Sequence, residues 1–125
     1  MTSVSIVIPH LNGKKILYNC IESLYRNIIN INVEVIIVDN GSTDNSIENV
    51  KKHFNELKII KSDKNLGYSG GCNLGASKAI NDYIIFLNND TIHSKGWVEE
   101  LVNFLDSNPH CLLYTSDAAD DDHCV

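Results

Sequence analysis

The sequence predicts an α/β fold built on a doubly wound, mainly parallel sheet. Three observations carry that expectation. Val4 to Ile8 and Val33 to Asp39 (VEVIIVD) are β-branched runs with too few polar positions for one-sided strands, so both read as strands buried on two faces. Between them Ile16, Cys20, Ile21, Leu24 and Ile28 recur at helical spacing and form one apolar stripe. Strand and helix signals then keep alternating as far as Leu105, the signature of βαβ units whose parallel strands pair through right-handed crossovers.

In order along the chain, Pro9 should stop the first strand, because it has no N–H to give to a ladder. After the second strand, Ile47, Val50 and Phe54 mark a second helix, and Leu57 to Ile60 a third strand. Asn65 to Gly75 is glycine-rich and leads into a short helix of small residues through Ala76, Ala79 and Ile80. Tyr83 to Leu87 (YIIFL) is the fourth strand. Trp97, Leu101, Phe104 and Leu105 then set out a helix that Ser94 is placed to cap and Asn108-Pro109 to end. Cys111 to Tyr114 could begin a fifth strand. Residues 112–125 show neither period and read as a disordered end, with the look of translated adapter or vector sequence.

Composition narrows the function classes. At 125 residues and 43% hydrophobic the chain is the size of one domain with a real core. Of its formal net charge of −6, most comes from Asp117, Asp120, Asp121 and Asp122, so the rest is near neutral and gives no reason to expect a nucleic-acid partner. Cys20, Cys72, Cys111 and Cys124 form no C-x-x-C pair, which favours buried free thiols over a structural metal site. The first apolar run is too short for a signal peptide or a transmembrane segment, and the expected location is cytoplasmic, with a peripheral place at the inner face of the membrane as a variant.

In doubly wound sheets ligands bind beyond the carboxyl ends of the strands. That rule selects Pro9 to Asn12, Asp39 to Asp44, Ser62 to Gly71 and Asn88 to Thr91. A carboxylate at Asp39 can accept a base N–H or a ribose hydroxyl, although Asp39 and Asp44 could equally serve as turn and cap oxygens. Asp90, directly after the fourth strand, suits a Mg2+ or Mn2+ ion shared with a diphosphate, because such ions need only one or two carboxylates beside phosphate oxygens and water; an Asx turn is the alternative. The glycines from Asn65 to Gly75 let backbone N–H groups approach phosphate at a helix start, or else serve helix–sheet packing, as for Gly75. No Walker lysine, G-x-G-x-x-G or Gly-x-Ser-x-Gly pattern is present, and the histidines form no metal set. His10 and His93 fall near the expected cleft without a catalytic signature.

Together these segments say more than each alone. VSIVIPHLN at 4–12, VIIVDNGSTDNS at 35–46, NLGYSGGCNLGASKA at 65–79 and IIFLNNDT at 84–91 closely resemble family 2 glycosyltransferases in order and spacing. The Asn-Asn-Asp-Thr variant and Trp97 look like the rhamnosyltransferase-like subgroup. The resemblance spans about residues 3–111 and implies a GT-A fold, of which this chain is the Rossmann-like nucleotide-binding half, truncated before the acceptor region. Carried over by position, it implies that Pro9, Leu11 and Asn12 line the base pocket, that Asp39 binds uracil or thymine, and that Asn65, Gly67 and Gly71 lie near the nucleotide. Asn88-Asn89-Asp90 stands where the family has its D-x-D motif, so Asp90 is the implied metal ligand, with Asn89 contributing through water or the sugar. Asn88 departs from the motif, since an amide brings no charge.

The implied reaction moves a glycosyl group, hexosyl or rhamnosyl, from a UDP- or dTDP-linked sugar to an acceptor hydroxyl with inversion, assisted by Mg2+ or Mn2+. The acceptor it implies is a polysaccharide or a lipid-linked sugar. The catalytic base belongs to a later segment that no position here matches, so this fragment is expected to be inactive alone. A non-catalytic nucleotide-binding domain is the alternative. A sugar nucleotidyltransferase would need Arg and Lys in a glycine-rich loop where Pro9-His10-Leu11-Asn12-Gly13 stands, and a phospho-acceptor receiver would need an acidic pair where His10-Leu11 stands.

Overall fold

The computed structural model describes residues 3–28 and 31–107. Strands and helices alternate along it: β1 (Ser3–His10), α1 (Lys14–Arg26), β2 (Asn32–Asp39), α2 (Ser46–His53), β3 (Lys58–Lys61), α3 (Gly67–Lys78), β4 (Tyr83–Phe86) and α4 (Trp97–Ser107). The sheet order is β3-β2-β1-β4, with every pairing parallel. The chain therefore winds outward from β1 to β3, then returns to the other side of β1. The switch point of the fold lies between β1 and β4.

Strand alternation divides the core into two layers. Ile6, Ile8, Val35, Ile37, Ile85 and Leu87 face α1, α2 and α4 and make the larger cluster. Val7, Ile36 and Val38 point the other way, against Leu74 and Ala79 at the α3 side. In α1 the buried stripe is Leu17, Cys20, Ile21 and Leu24, whereas Ile16 is half exposed, because one residue of offset turns it about 100° from Leu17.

Several element boundaries differ from the sequence expectation, among them the end of β4, which stops at Phe86 and not Leu87. β1 runs through Pro9 to His10. The His10 carbonyl accepts Asn40 N–H at 2.9 Å, so His10 turns its backbone toward β2 and Pro9 turns its missing donor toward β4, where pairing has already ended at Val7 and Phe86. α3 begins at Gly67, inside the segment expected as a glycine-rich loop, and ends at Lys78, before Ala79 and Ile80. β3 is Lys58–Lys61, one residue later than expected, with its strand pairing set by Ile36 to Asp39. Asn108-Pro109, the fifth strand expected at Cys111 to Tyr114 and the tail 112–125 lie outside the described residues.

The amino end of the sheet is closed by Glu34. Its Oε1 accepts the Ser5 hydroxyl at 2.6 Å and Ile80 N–H at 3.1 Å, and Lys58 pairs with Oε2. Burial opposes the charge on Glu34, but Lys58, Ser5 and Ile80 outweigh it and hold the carboxyl below its usual range. Being depressed in the folded state, it contributes stability above the unfolded carboxyl value that is lost as the pH falls through the folded one.

Gly75 lets α3 lie close to the sheet: a Cβ there would sit 2.3 Å from Val7 Cγ1 and 3.1 Å from Val38 Cγ2. Valine on a central strand cannot swing away, so Gly75→Ala should lose about 1–2 kcal/mol net, the overpacking exceeding the gain in helix propensity. Thermal melts should show the midpoint falling by several degrees while the exposed Ser77→Ala leaves it in place; a Gly75→Ala midpoint at or above the wild type contradicts this packing.

Candidate functional site

Four loops meet beyond the carboxyl ends of the strands, and hydrogen bonds join them. Asn12 and Gly13, both at positive φ, turn the chain from β1 into α1. Asn12 N–H donates to Ser42 Oγ at 2.9 Å and Thr43 N–H to Asn12 Oδ1 at 2.8 Å. Gly13 N–H reaches Asp44 Oδ2 at 2.6 Å. The third loop is held by Asn40, whose Oδ1 accepts Leu66 N–H at 3.2 Å and whose Nδ2 donates to the Gly67 carbonyl at 3.4 Å. Asn40 lies within the segment Asp39 to Asp44 that the sequence selects, but no role of its own is legible there; its signal is a polar residue directly after a strand buried on both faces.

The fourth loop is reached through His10, which is only 1% exposed. Its Nε2 lies 2.8 Å from Ser46 Oγ at the start of α2, and its Nδ1 lies 2.9 Å from Asn89 Nδ2 beyond β4. The proton order follows from Asn89, whose Nδ2 only donates: Nδ1 of His10 accepts from it and is bare, so Nε2 carries the proton and donates to Ser46 Oγ. Beside them Ser46 N–H donates to Asp44 Oδ1 at 3.0 Å, and the bonds from Ser46 and Gly13 hold that carboxyl down at about 2. His10 is thus neutral and protonated on Nε2. Burial lowers its pKa, and the Asp39 and Asp44 carboxylates only partly offset this.

The sequence-selected residues divide into those at the rim surface and those that pack. Asp39 is 5% exposed and pairs in register with His10; its Oδ1 accepts Gly41 N–H at 3.2 Å and Ser42 N–H at 2.8 Å, so it does serve as a turn acceptor. Among the described residues no donor meets its Oδ2. Leu11 and Asn12 are exposed on the rim. Asn65 is exposed as well, and its Oδ1 takes Gly67 N–H at 2.9 Å at the start of α3. Pro9 and Gly71 are buried against each other, a Cβ on Gly71 falling 2.9 Å from Pro9 Cβ. Asn89 is half-buried and Asp90 exposed. Asp39 and the Asn89-Asp90 pair therefore stand on either side of one residue, His10, at the switch point.

The family model for glycosyl transferase family 2 matches residues 5–123. The chain belongs to that family. A Haemophilus influenzae glycosyltransferase without assigned substrate is 33% identical over 84% of this chain. The Staphylococcus aureus TarS 1–349 structure in complex with UDP has a TM-score of 0.75 at 26% identity, and the one in complex with UDP-GlcNAc a TM-score of 0.74 at 25%, each over 86% of this chain. The fold is accordingly that of GT-A glycosyltransferases. The chain spans 43% of the length of the Haemophilus relative and 32% of each TarS chain.

The family's metal position finds a sparse donor set here. Among the described residues no three His, Cys, Asp or Glu side chains gather to hold an ion. Asp90 alone offers a carboxylate beyond β4, and the Asn89 amide nitrogen is taken by His10. This set fits an ion that keeps its waters and is shared with a diphosphate, and it does not fit one held by protein alone.

Behind the rim, Cys20 and Cys72 are free and buried. Burial raises the Cys20 thiol, and its Sγ sits 3.6 Å from Thr91 Oγ1. His93 bonds Thr91 Oγ1 at 2.9 Å and stacks on Trp97 at 4.3 Å, which fixes the fourth loop to α1 and α4. Away from the rim, an open cleft of about 400 Å³ is lined by Lys14, Lys15, Tyr18, Asn49 and His53. Among the described residues no helix is long and apolar enough to cross a membrane.

His10 makes the site sensitive to acid. With its folded pKa below the ordinary histidine value of about 6.5, the folded state binds fewer protons between the two values, so stability is complete above about 6.5 and declines as the pH drops toward the folded value. NMR titration of the His10 ring should give a midpoint below 6.5 with Nε2 protonated at neutral pH; a midpoint at or above that value contradicts the neutral bridge.

Proposed function

We propose that this protein supplies the donor site of a glycosyltransferase that moves a sugar from a UDP- or dTDP-linked donor to an acceptor hydroxyl with inversion. The observation that carries the reading is the His10 bridge, which joins the end of β2, with Asp39, to the loop after β4, with Asn89 and Asp90. Support also comes from the relatives, which are glycosyltransferases, and from TarS, whose structures hold UDP and UDP-GlcNAc.

In this reading the base lies at the β2 side. Asp39 Oδ2 accepts the base N–H while Oδ1 keeps the turn rigid, and exposed Leu11 gives the base an apolar face beside Asn12 and Pro9. The diphosphate crosses toward β4 near Asn65 and the first turn of α3. Gly67, at φ +73°, leaves backbone room there, and the helix start directs partial positive charge to the phosphates. Asn89 meets the donor from the far side. Asp90 would hold Mg2+ or Mn2+ together with the diphosphate, and the ion would neutralise the charge that develops on the departing group. Gly71 acts by bringing α3 against Pro9.

Displacement with inversion needs a carboxylate to take the acceptor proton as the new bond forms. No residue of the donor half is assigned as that base, and a polysaccharide or a lipid-linked sugar is the acceptor class we propose, reached from the cytoplasmic side of a membrane.

Titration calorimetry with UDP tests this reading. Binding should require Mg2+ or Mn2+, weaken at least about tenfold in EDTA, and weaken by a similar factor in Asp39→Ala, one charge-assisted hydrogen bond being worth about 1.5–3 kcal/mol. Equal affinity with and without EDTA removes the metal, and full affinity in Asp39→Ala removes the base pocket.

A further inference from the structure

The His10 bridge does more than join two loops. The Asn89 side chain has one donor end and one acceptor end, and Nδ1 of His10 takes the donor end. Its Oδ1 is then left over, and among the described residues no donor meets it. Asn89 is half-buried and precedes Asp90, on the side of the rim away from the Asp39 base pocket.

An asparagine amide on a loop turns easily, and the two ends differ in what they can hold. A bare ring nitrogen selects one of those two orientations. What keeps Nδ1 bare is the proton on the other nitrogen: Ser46 Oγ, 2.8 Å away, accepts from Nε2–H, and a neutral ring then has only a lone pair on Nδ1. The charged groups facing His10 are Asp39 on the neighbouring strand and Asp44 in the loop before α2; Ser46 and Asn89 are its uncharged partners.

We propose that His10 is a positioning residue for the donor sugar: by fixing the Asn89 amide through Nδ1 it presents Asn89 Oδ1 as a hydrogen-bond acceptor to a hydroxyl of the transferred sugar. An acceptor oxygen suits a sugar hydroxyl, which donates, and is repelled by phosphate oxygens, which only accept. His10 does not touch substrate and acts through Asn89. The assignment rests on the donor site proposed above.

The two short amides separate this role from mere support of the fold. In His10→Asn the side-chain oxygen can take the place of Nδ1 and keep Asn89, whereas His10→Gln reaches toward Ser46 and abandons Asn89. Each removes one buried hydrogen bond, so their thermal midpoints should fall alike. The ratio of UDP-GlcNAc affinity to UDP affinity should fall about fivefold in His10→Gln and stay within about twofold of wild type in His10→Asn. In an Asn89→Ala background, His10→Gln should cause no further loss.

Affinity for UDP-GlcNAc that follows the thermal midpoint in both variants, equal loss for UDP, or additive losses with Asn89→Ala would overturn the positioning role. A wild-type chain that binds UDP no better than background overturns the donor site itself and this role with it; a chain that binds UDP but gives additive losses overturns this role alone.

Discussion

A buried, neutral imidazole at the end of the central strand is the constraint on which the site depends. β1 lies at the switch point, and the two strands beside it part there into loops that have no ladder to hold them. His10 replaces the missing ladder with side-chain bonds, to Ser46 on one side and Asn89 on the other. The arrangement works because burial keeps the ring uncharged: one nitrogen must donate and the other must accept, and a protonated ring would set Nδ1–H against the N–H end of the Asn89 amide.

The two ends of the sheet solve the same problem with opposite chemistry. At the amino end a charged group, Glu34, is fully engaged by Ser5, Ile80 and Lys58, leaving nothing for a ligand. At the carboxyl end, neutral side chains do most of the joining, Asn12, Asn40, Ser42, Ser46 and His10, and Asp44 is the charged exception, holding Gly13 N–H. That choice spares two other carboxylates. Asp39 gives one oxygen to its turn and keeps the other, and Asp90 stays exposed on its loop. A rim tied mainly by amides and hydroxyls can thus be rigid without Asp39 and Asp90 being used up.

Much of this was legible in the sequence, and the reasons for the gaps are physical. The strands and their parallel order followed from apolar runs with no exposed face, and the rim followed from the rule for doubly wound sheets. The α3 start was missed because Gly67, Gly70, Gly71 and Gly75 give that helix no apolar stripe, its packing being achieved by the absence of side chains. Pro9 misled because its effect depends on which neighbour its nitrogen faces, a matter of register. The positions selected at the rim fell together, yet the bonds of His10 and Asn40 could not be read, since they join residues far apart in the chain whose contacts exist only once the loops have met. The α1 stripe holds at Cys20, Ile21 and Leu24 and differs at its first member, because Ile16 and Leu17 are both apolar and only Leu17 faces the sheet.

The central claim is that one rim, centred on His10, receives one sugar nucleotide across the switch point. Adding UDP and Mg2+ to isotope-labelled protein and following the backbone amides tests it directly. The account predicts that shifts cluster at residues 10–13, 39–44, 65–71 and 88–91, on both sides of β1 at once. Shifts confined to Lys14, Lys15, Tyr18, Asn49 and His53, the cleft between α1 and α2, would contradict it.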